Sequence, residues 1–245
     1  MSLLTPPRLR GIEYLDDPDV APDVVQRSLR DVALANRLFG GTRAVVAELE
    51  PVFDALRRGG REGVMLLDVG TGLGDIPERA RGAARRRGLA LTTVGLDLAE
   101  ELARSARLRT SFTVCGSALA LPFADKSVDV VTCSQVLHHF VECEARRLIA
   151  EMDRVARVRV VISDLRRSWP AAAGIWLASF PLRFHPVSRH DGVVSVMRGF
   201  TTAELRGHVH AAVGRVPAVG RHAVARVTAS WEPAPSTPAP LPFAP

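Results

Sequence analysis

Five short apolar runs, at 64–69, 91–96, 111–115, 128–133 and 158–163, leave this chain few folds to adopt, because helix-compatible segments separate them, notably at 75–87, 98–107 and 142–155. Strands this short and apolar throughout, rather than alternating, are buried on both faces. A parallel sheet covered by helices on either side is therefore predicted. With 245 residues and 47% hydrophobic content, one such core can be buried by a single α/β domain.

The flanks differ from this core. Val24, Val25, Leu29, Val32, Leu34 and Leu38 recur at helical spacing, Gly40-Gly41 breaks the pattern, and Val45, Val46, Leu49 and Val52 resume it. Residues 1–60 are thus expected to form a helical N-terminal cap. A helix is expected over 201–213, with Thr201 or Thr202 as N-cap and Glu204 in its first turn. Segments 214–219 and 222–230 are then expected to pair around Gly220 as an antiparallel hairpin that closes the sheet. The whole reading is a Rossmann-like, seven-stranded, mostly parallel sheet over 61–231, with a lid insertion at about 168–200. Beyond it, Pro233, Pro235, Pro238, Pro240, Pro242 and Pro245 exclude regular structure from a tail at 232–245.

Composition narrows the partners. The net charge is +6, yet Lys126 is the only lysine and the arginines are scattered rather than clustered, so no nucleic-acid partner is expected. The runs Arg57-Arg58 and Arg85-Arg86-Arg87 fall at predicted helix ends, where cations complement the macrodipole. Cys115, Cys133 and Cys143 lack both CxxC spacing and partner histidines at metal-ligand intervals, so neither a disulfide framework nor a metal site is expected. No apolar stretch reaches the roughly 20 residues of a membrane helix and the first ten residues lack an apolar leader core, so no membrane association is expected and a cytoplasmic location is.

The chemistry begins at Leu66-Leu67-Asp68-Val69-Gly70-Thr71-Gly72-Leu73-Gly74-Asp75, a buried strand running into a glycine-rich turn at a helix start. Glycines allow a sharp turn and let a ligand approach backbone N–H groups closely. The G-x-G-x-G spacing differs from the G-x-G-x-x-G of dinucleotide-binding turns. The next strand ends Val94-Gly95-Leu96-Asp97, which sets a carboxylate at the carboxyl edge of the sheet, where it can accept both hydroxyls of a ribose or, alternatively, cap the following helix.

With these residues the chain resembles the class I S-adenosylmethionine (SAM) dependent methyltransferases, within them the type 11, ubiquinone/menaquinone-biosynthesis-like group. The resemblance covers roughly 64–165. It is carried, in order, by Asp68–Gly74, Gly95-Leu96-Asp97, Leu121-Pro122-Phe123 with Ser127-Val128-Asp129-Val130-Val131, and Gln135-Val136-Leu137-His138-His139-Phe140. It implies SAM as cofactor, held by Asp68, Gly70, Thr71, Gly72, Gly74, Asp97, Leu98, Gly116, Ser117, Ala118 and Gln135, with Asp97 on the ribose and 134–139 as the active-site floor. Gly116-Ser117-Ala118 departs from the family, which places an acid there for the adenine amino group. A serine hydroxyl is a weaker acceptor than a carboxylate.

Methyl transfer from a sulfonium is an in-line displacement, so the protein supplies alignment, desolvation and, for a hydroxyl acceptor, proton removal. Trp169, Trp176, Phe180 and Phe184, followed by the stretch to Gly192, suit either a helix packed on the core or a lid over a flat aromatic acceptor. A phenol, quinone precursor or polyketide-like ring is the expected substrate, and O-methylation the expected reaction. Transfer to carbon or nitrogen, and a non-catalytic SAM-binding protein, are the alternatives. The candidate bases are His190, favoured because Asp191 follows it in a Gly-terminated loop, then His139 and His138. Each of the three also fits a structural or surface role. A monomer or homodimer is expected.

Overall fold

The computed structural model describes residues 4–9, 11–17 and 19–235. Seven strands, β1 (Gly63–Val69), β2 (Ala90–Asp97), β3 (Phe112–Cys115), β4 (Val128–Ser134), β5 (Ala156–Leu165), β6 (Ala218–His222) and β7 (Arg226–Trp231), form one sheet. Their order is β3-β2-β1-β4-β5-β7-β6, with β3 to β5 parallel and β7 antiparallel to both its neighbours. The expected Rossmann-like sheet and its closing hairpin are both present. One boundary is corrected: Gly220 lies inside β6, and the chain reverses at Ala223-Val224-Ala225, where Val224 and Ala225 take φ near +55°. Pro217 keeps the strand from starting earlier than Ala218, because it has no N–H to give to a ladder.

The helices are α1 (Pro22–Leu38), α2 (Gly41–Arg58), α3 (Asp75–Arg86), α4 (Glu100–Ala106), α5 (Glu142–Val155), α6 (Trp169–Ser179), α7 (Pro186–Arg198) and α8 (Thr202–Val213). Gly40, left-handed at φ +77°, separates α1 from α2 as the glycine pair predicts. Thr201 caps α8 in a complete capping box with Glu204. Every residue of β4 is buried, which explains why its sequence reads as one apolar run. On one face of the sheet Val45, Leu49, Phe53, Ile76, Ala80 and Ala84 from α2 and α3 pack together. On the other, Leu148, Ile149 and Met152 from α5 meet Leu205 and Val209 from α8.

Strand order reverses between β1 and β4. In an open parallel sheet this is where the loops at the carboxyl ends of neighbouring strands diverge and leave a crevice. Helices α6 and α7 occupy the expected lid insertion after β5, and α1 approaches from the other side. Of the tail, residues 232–235 have no regular structure, and 236–245 lie outside the described residues.

Candidate functional site

The crevice holds a cavity of about 810 Å³, within the usual range for small-ligand pockets. Its floor begins at the turn after β1. Gly70 sits at φ +70°, and a Cβ there would collide with Val136 from the loop after β4. The turn is held by Gly70 and Thr71 N–H groups donating to Leu96 O at 2.8 and 3.0 Å. Asp97 ties the two loops together, because its Oδ2 accepts from Gly72 N at 3.0 Å and its Oδ1 from Ala99 N at 3.3 Å. Burial raises its pKa, with the Gly72 and Ala99 N–H groups opposing that rise.

The cavity is lined by Gly70, Thr71, Gly72, Asp97, Leu98 and Gln135, together with Gly116, Ser117 and Ala118 opposite the end of β2. Two of the expected cofactor residues stand behind this wall instead. Asp68 is buried beneath the turn and accepts a hydrogen bond from Thr132 Oγ1 at 2.8 Å. Burial lifts its pKa to about 7, against the pull of that hydroxyl. Gly74, left-handed at φ +76°, is the N-cap of α3. Both support the turn that the other residues present.

His138 and His139 form a short 3-10 turn after β4, at the far end of the cavity. Asp164, fully buried at the end of β5, lies 2.7 Å from His138 Nδ1, and its Oδ2 accepts from His138 N at 3.2 Å. Burial pushes the Asp164 carboxyl upward, but the charge and hydrogen bond of His138 and the Leu165 N–H outweigh it, so its pKa is lowered. In its neutral form the ring donates its Nδ1 proton to the Asp164 anion, which leaves Nε2 as the acceptor nitrogen. Nε2 has no hydrogen-bond partner, and Glu13 Oε1 lies 3.8 Å from it. His139 is oriented differently: its Nδ1 meets Asp16 Oδ1 at 3.0 Å.

His190 is not in a loop. It belongs to α7, its Nδ1 pairs with the neighbouring Asp191 at 2.9 Å, its ring packs on Tyr14, and it is absent from the cavity wall. The Gly192 that suggests a loop end is instead a helical residue facing Ile175 across the α6–α7 contact. Trp169, Trp176 and Phe180 are half exposed, and of the four aromatics in this region only Phe184 reaches the cavity. From α6 and α7 the cavity is lined by the apolar Ala171, Gly174, Ile175 and Val196 and by the polar Ser188, Asp191 and Ser195.

Four residues escape a reading from sequence. Glu13 and Asp16 come from a segment with no motif, and Asn36 sits on a helix that reads as plain amphipathic packing. Arg226 opens β7, where a buried charge among Val227, Thr228 and Ala229 is the single available signal. Among the described residues Glu13, His138 and His139 bring ligand-type atoms within 4.8 Å of one another. Arg198 Nη1 already approaches Glu13 Oε1 at 3.2 Å and supplies the positive charge there.

Residues 67–162 match the family model described as a methyltransferase domain. A demethylmenaquinone methyltransferase from Roseiflexus is 36% identical over 118 residues, covering 45% of this chain and 47% of that protein. The chain thus spans about half the length of this curated relative. Among solved structures, a SAM-dependent methyltransferase from Aquifex aeolicus superposes with a TM-score of 0.56 at 18% identity, covering 86% of this chain and 98% of that one. The magnesium protoporphyrin IX methyltransferase from Synechocystis, solved with bound SAM, gives 0.51 at 14% identity, covering 89% and 86%. These likenesses show a shared fold.

Proposed function

We propose, from the premise that residues 67–162 belong to the class I methyltransferase domain family, that this chain transfers the methyl group of SAM to a hydroxyl of a small aromatic acceptor. The observation that carries the reaction is the His138–Asp164 pair at the cavity wall, with a buried anion fixing the tautomer and an unpartnered Nε2. The Gly70–Gly72 turn and Asp97 fit the cofactor. The turn lets a ligand lie close to the backbone, and a carboxylate already locked in place can still accept from ribose hydroxyls. Leu98 and the Gly116–Ala118 segment offer an apolar slot beside it, with the Ser117 hydroxyl as a neutral acceptor. SAM, bound there, supplies a methyl group on a sulfonium leaving group.

The protein's own part is alignment and proton removal. A phenol titrates near pH 10 and is protonated at neutral pH, so a neutral imidazole within reach lowers the barrier by taking the proton as the new bond forms. Asp164 stabilises the imidazolium that results. Ala171, Gly174, Ile175 and Val196 give the α6–α7 side of the cavity an apolar stretch that suits a flat ring. The name of the Roseiflexus relative indicates a quinone acceptor for that protein, which supports an aromatic ring here.

The test is S-adenosylhomocysteine release from SAM with a panel of phenols. His138→Ala should lose about 100-fold to 10,000-fold in kcat/KM, while His190→Ala stays close to wild type. Asp164→Asn should lose activity with its S-adenosylhomocysteine affinity intact, since the pair acts on the acceptor. Near wild-type turnover by His138→Ala across the pH range would remove the base and leave alignment alone.

A further inference from the structure

Arg226 is the least compensated charge in the described structure. Its side chain is 3% exposed and it borders the cavity, yet it makes no salt bridge among the described residues. Its Nη2 donates to Asn36 Oδ1 at 3.3 Å, while Nε and Nη1 have no partner. Asn36 is neutral and is itself fixed by Gln135 Nε2. The acid closest along the sheet is Asp164, but both its oxygens are taken by His138 and the Leu165 N–H. Desolvation lowers the Arg226 pKa to about 10, with Asp164 opposing only in part.

A guanidinium stripped of water without an anion is strongly unfavourable unless something else compensates. The fold nevertheless goes to some length to hold it there. Arg226 follows Val224 and Ala225, both at φ near +55°, and a β-branched residue in that conformation is strained. Gly41 lets the group come close, since a Cβ there would lie 3.2 Å from Nη2. Gln135, which orients Asn36, is likewise at φ +57°. Gln135, Val224 and Ala225 all border the cavity, so the strain is concentrated in the stretch of wall that Arg226 shares.

We infer that Arg226 and Asn36 form a carboxylate-binding subsite in the cavity wall, between the start of β7 and the end of α1. The inference rests on the reading of this cavity as a methyl-transfer site. Two carboxylates could enter it: the amino-acid end of the cofactor and an acid group on the acceptor ring. A planar guanidinium recognises either one through charge-assisted hydrogen bonds, and Asn36 can add an amide N–H.

Calorimetry on the full chain separates these sources. S-adenosylhomocysteine is compared with its decarboxylated analogue, and para-hydroxybenzoate with para-hydroxybenzamide, each titrated alone into wild type, Arg226→Gln and Arg226→Lys. In wild type at least one acid should bind about tenfold or more tighter than its counterpart without a carboxylate, and that preference should vanish in Arg226→Gln and persist in part in Arg226→Lys. Loss confined to the cofactor pair assigns the cofactor's carboxylate, and loss confined to the benzoate pair assigns the acceptor's. The subsite is overturned if neither acid is preferred in wild type, a comparison that does not depend on any variant folding. It is also overturned if the acid and its counterpart without a carboxylate weaken equally in Arg226→Gln. Wild type that binds neither cofactor analogue sinks the methyl-transfer reading, while the benzoate pair still decides Arg226.

Discussion

Asp97 gives one oxygen to the Gly72 N–H and the other to Ala99 N, so the carboxylate is immobilised before any ligand arrives. Preorganisation of this kind spares the ordering cost that a free side chain would incur on binding. Asp97→Ala should therefore weaken S-adenosylhomocysteine binding by about 1–3 kcal/mol, the cost of leaving buried donors without an acceptor. Calorimetry decides it, and unchanged affinity would take Asp97 out of the ribose role. Ser117 lines the cavity, and its hydroxyl already accepts from Leu119 N at 3.2 Å. Asp68, sealed under the glycine turn, illustrates the opposite arrangement. A carboxyl bonded to Thr132 supports the loop and does not line the cavity.

At the scale of elements, the site is closed by a strap that the motifs do not announce. The short helical turn Tyr14–Asp16 is bound to α7, because Tyr14 N and Leu15 N donate to the two oxygens of Asp191 at 2.9 and 3.0 Å. Arg198 grips the same strap through Gly11 O, Glu13 and Asp16. His139 joins it to the loop after β4. The His139 hydrogen bond, with Arg198 adding to it against burial, holds Asp16 at a pKa of about 2. For His139 burial acts downward, but the Asp16 hydrogen bond and the Glu13 charge prevail and raise the pKa. The linkage then has a definite sign. A histidine with a raised folded pKa contributes fully below its ordinary value near 6.5 and loses that contribution as pH climbs through the raised value. A carboxyl with a lowered pKa contributes above its ordinary value near 3.9 and loses it as pH falls toward 2. Wild type should thus lose melting temperature as pH rises above about 6.5 more steeply than Asp16→Asn, which lacks the partner charge. The amplitude is small, since both side chains are about one-third exposed and solvent screens the pair. Parallel melting curves for the two proteins would discard the pairing.

For the whole molecule, α2 is the element that joins the cap to the sheet. It packs on β4, β5, β7 and α3, and Phe53 at its centre is fully buried. Phe53→Ala should cost about 3–5 kcal/mol in denaturant unfolding, through lost transfer energy and a cavity that the rigid sheet cannot collapse. Leu108, 93% exposed, serves as the contrast, and its change to Ala should stay within about 0.5 kcal/mol. A small effect at Phe53 would mean that α2 is loosely attached and that the sheet's other face carries the stability. Among the described residues no helix is long and apolar enough to cross a membrane.

The sheet, its helices and the glycine turn were legible in the sequence because each depends on local pattern. A doubly buried strand must be apolar throughout, a left-handed turn position strongly favours glycine, and Asp97 lies one neighbouring strand away from that turn. Helix periodicity likewise located α1 and α2, and the capping residues located α8. What the pattern could not decide was which polar side chains share the cavity, since these come from segments far apart in the chain. Asp164 reaches His138 across 26 positions, and Arg226 reaches Asn36 across 190. The surroundings of the three histidines were likewise out of reach of local pattern. His190 points to the outside of α7 toward Tyr14, and His138 meets a buried anion, because the packing of α7 and the register of β4 on β5 set those directions. Local sequence therefore determined the frame. Only long-range packing decided which charges were stripped of water together, and that desolvation shifts their pKa values.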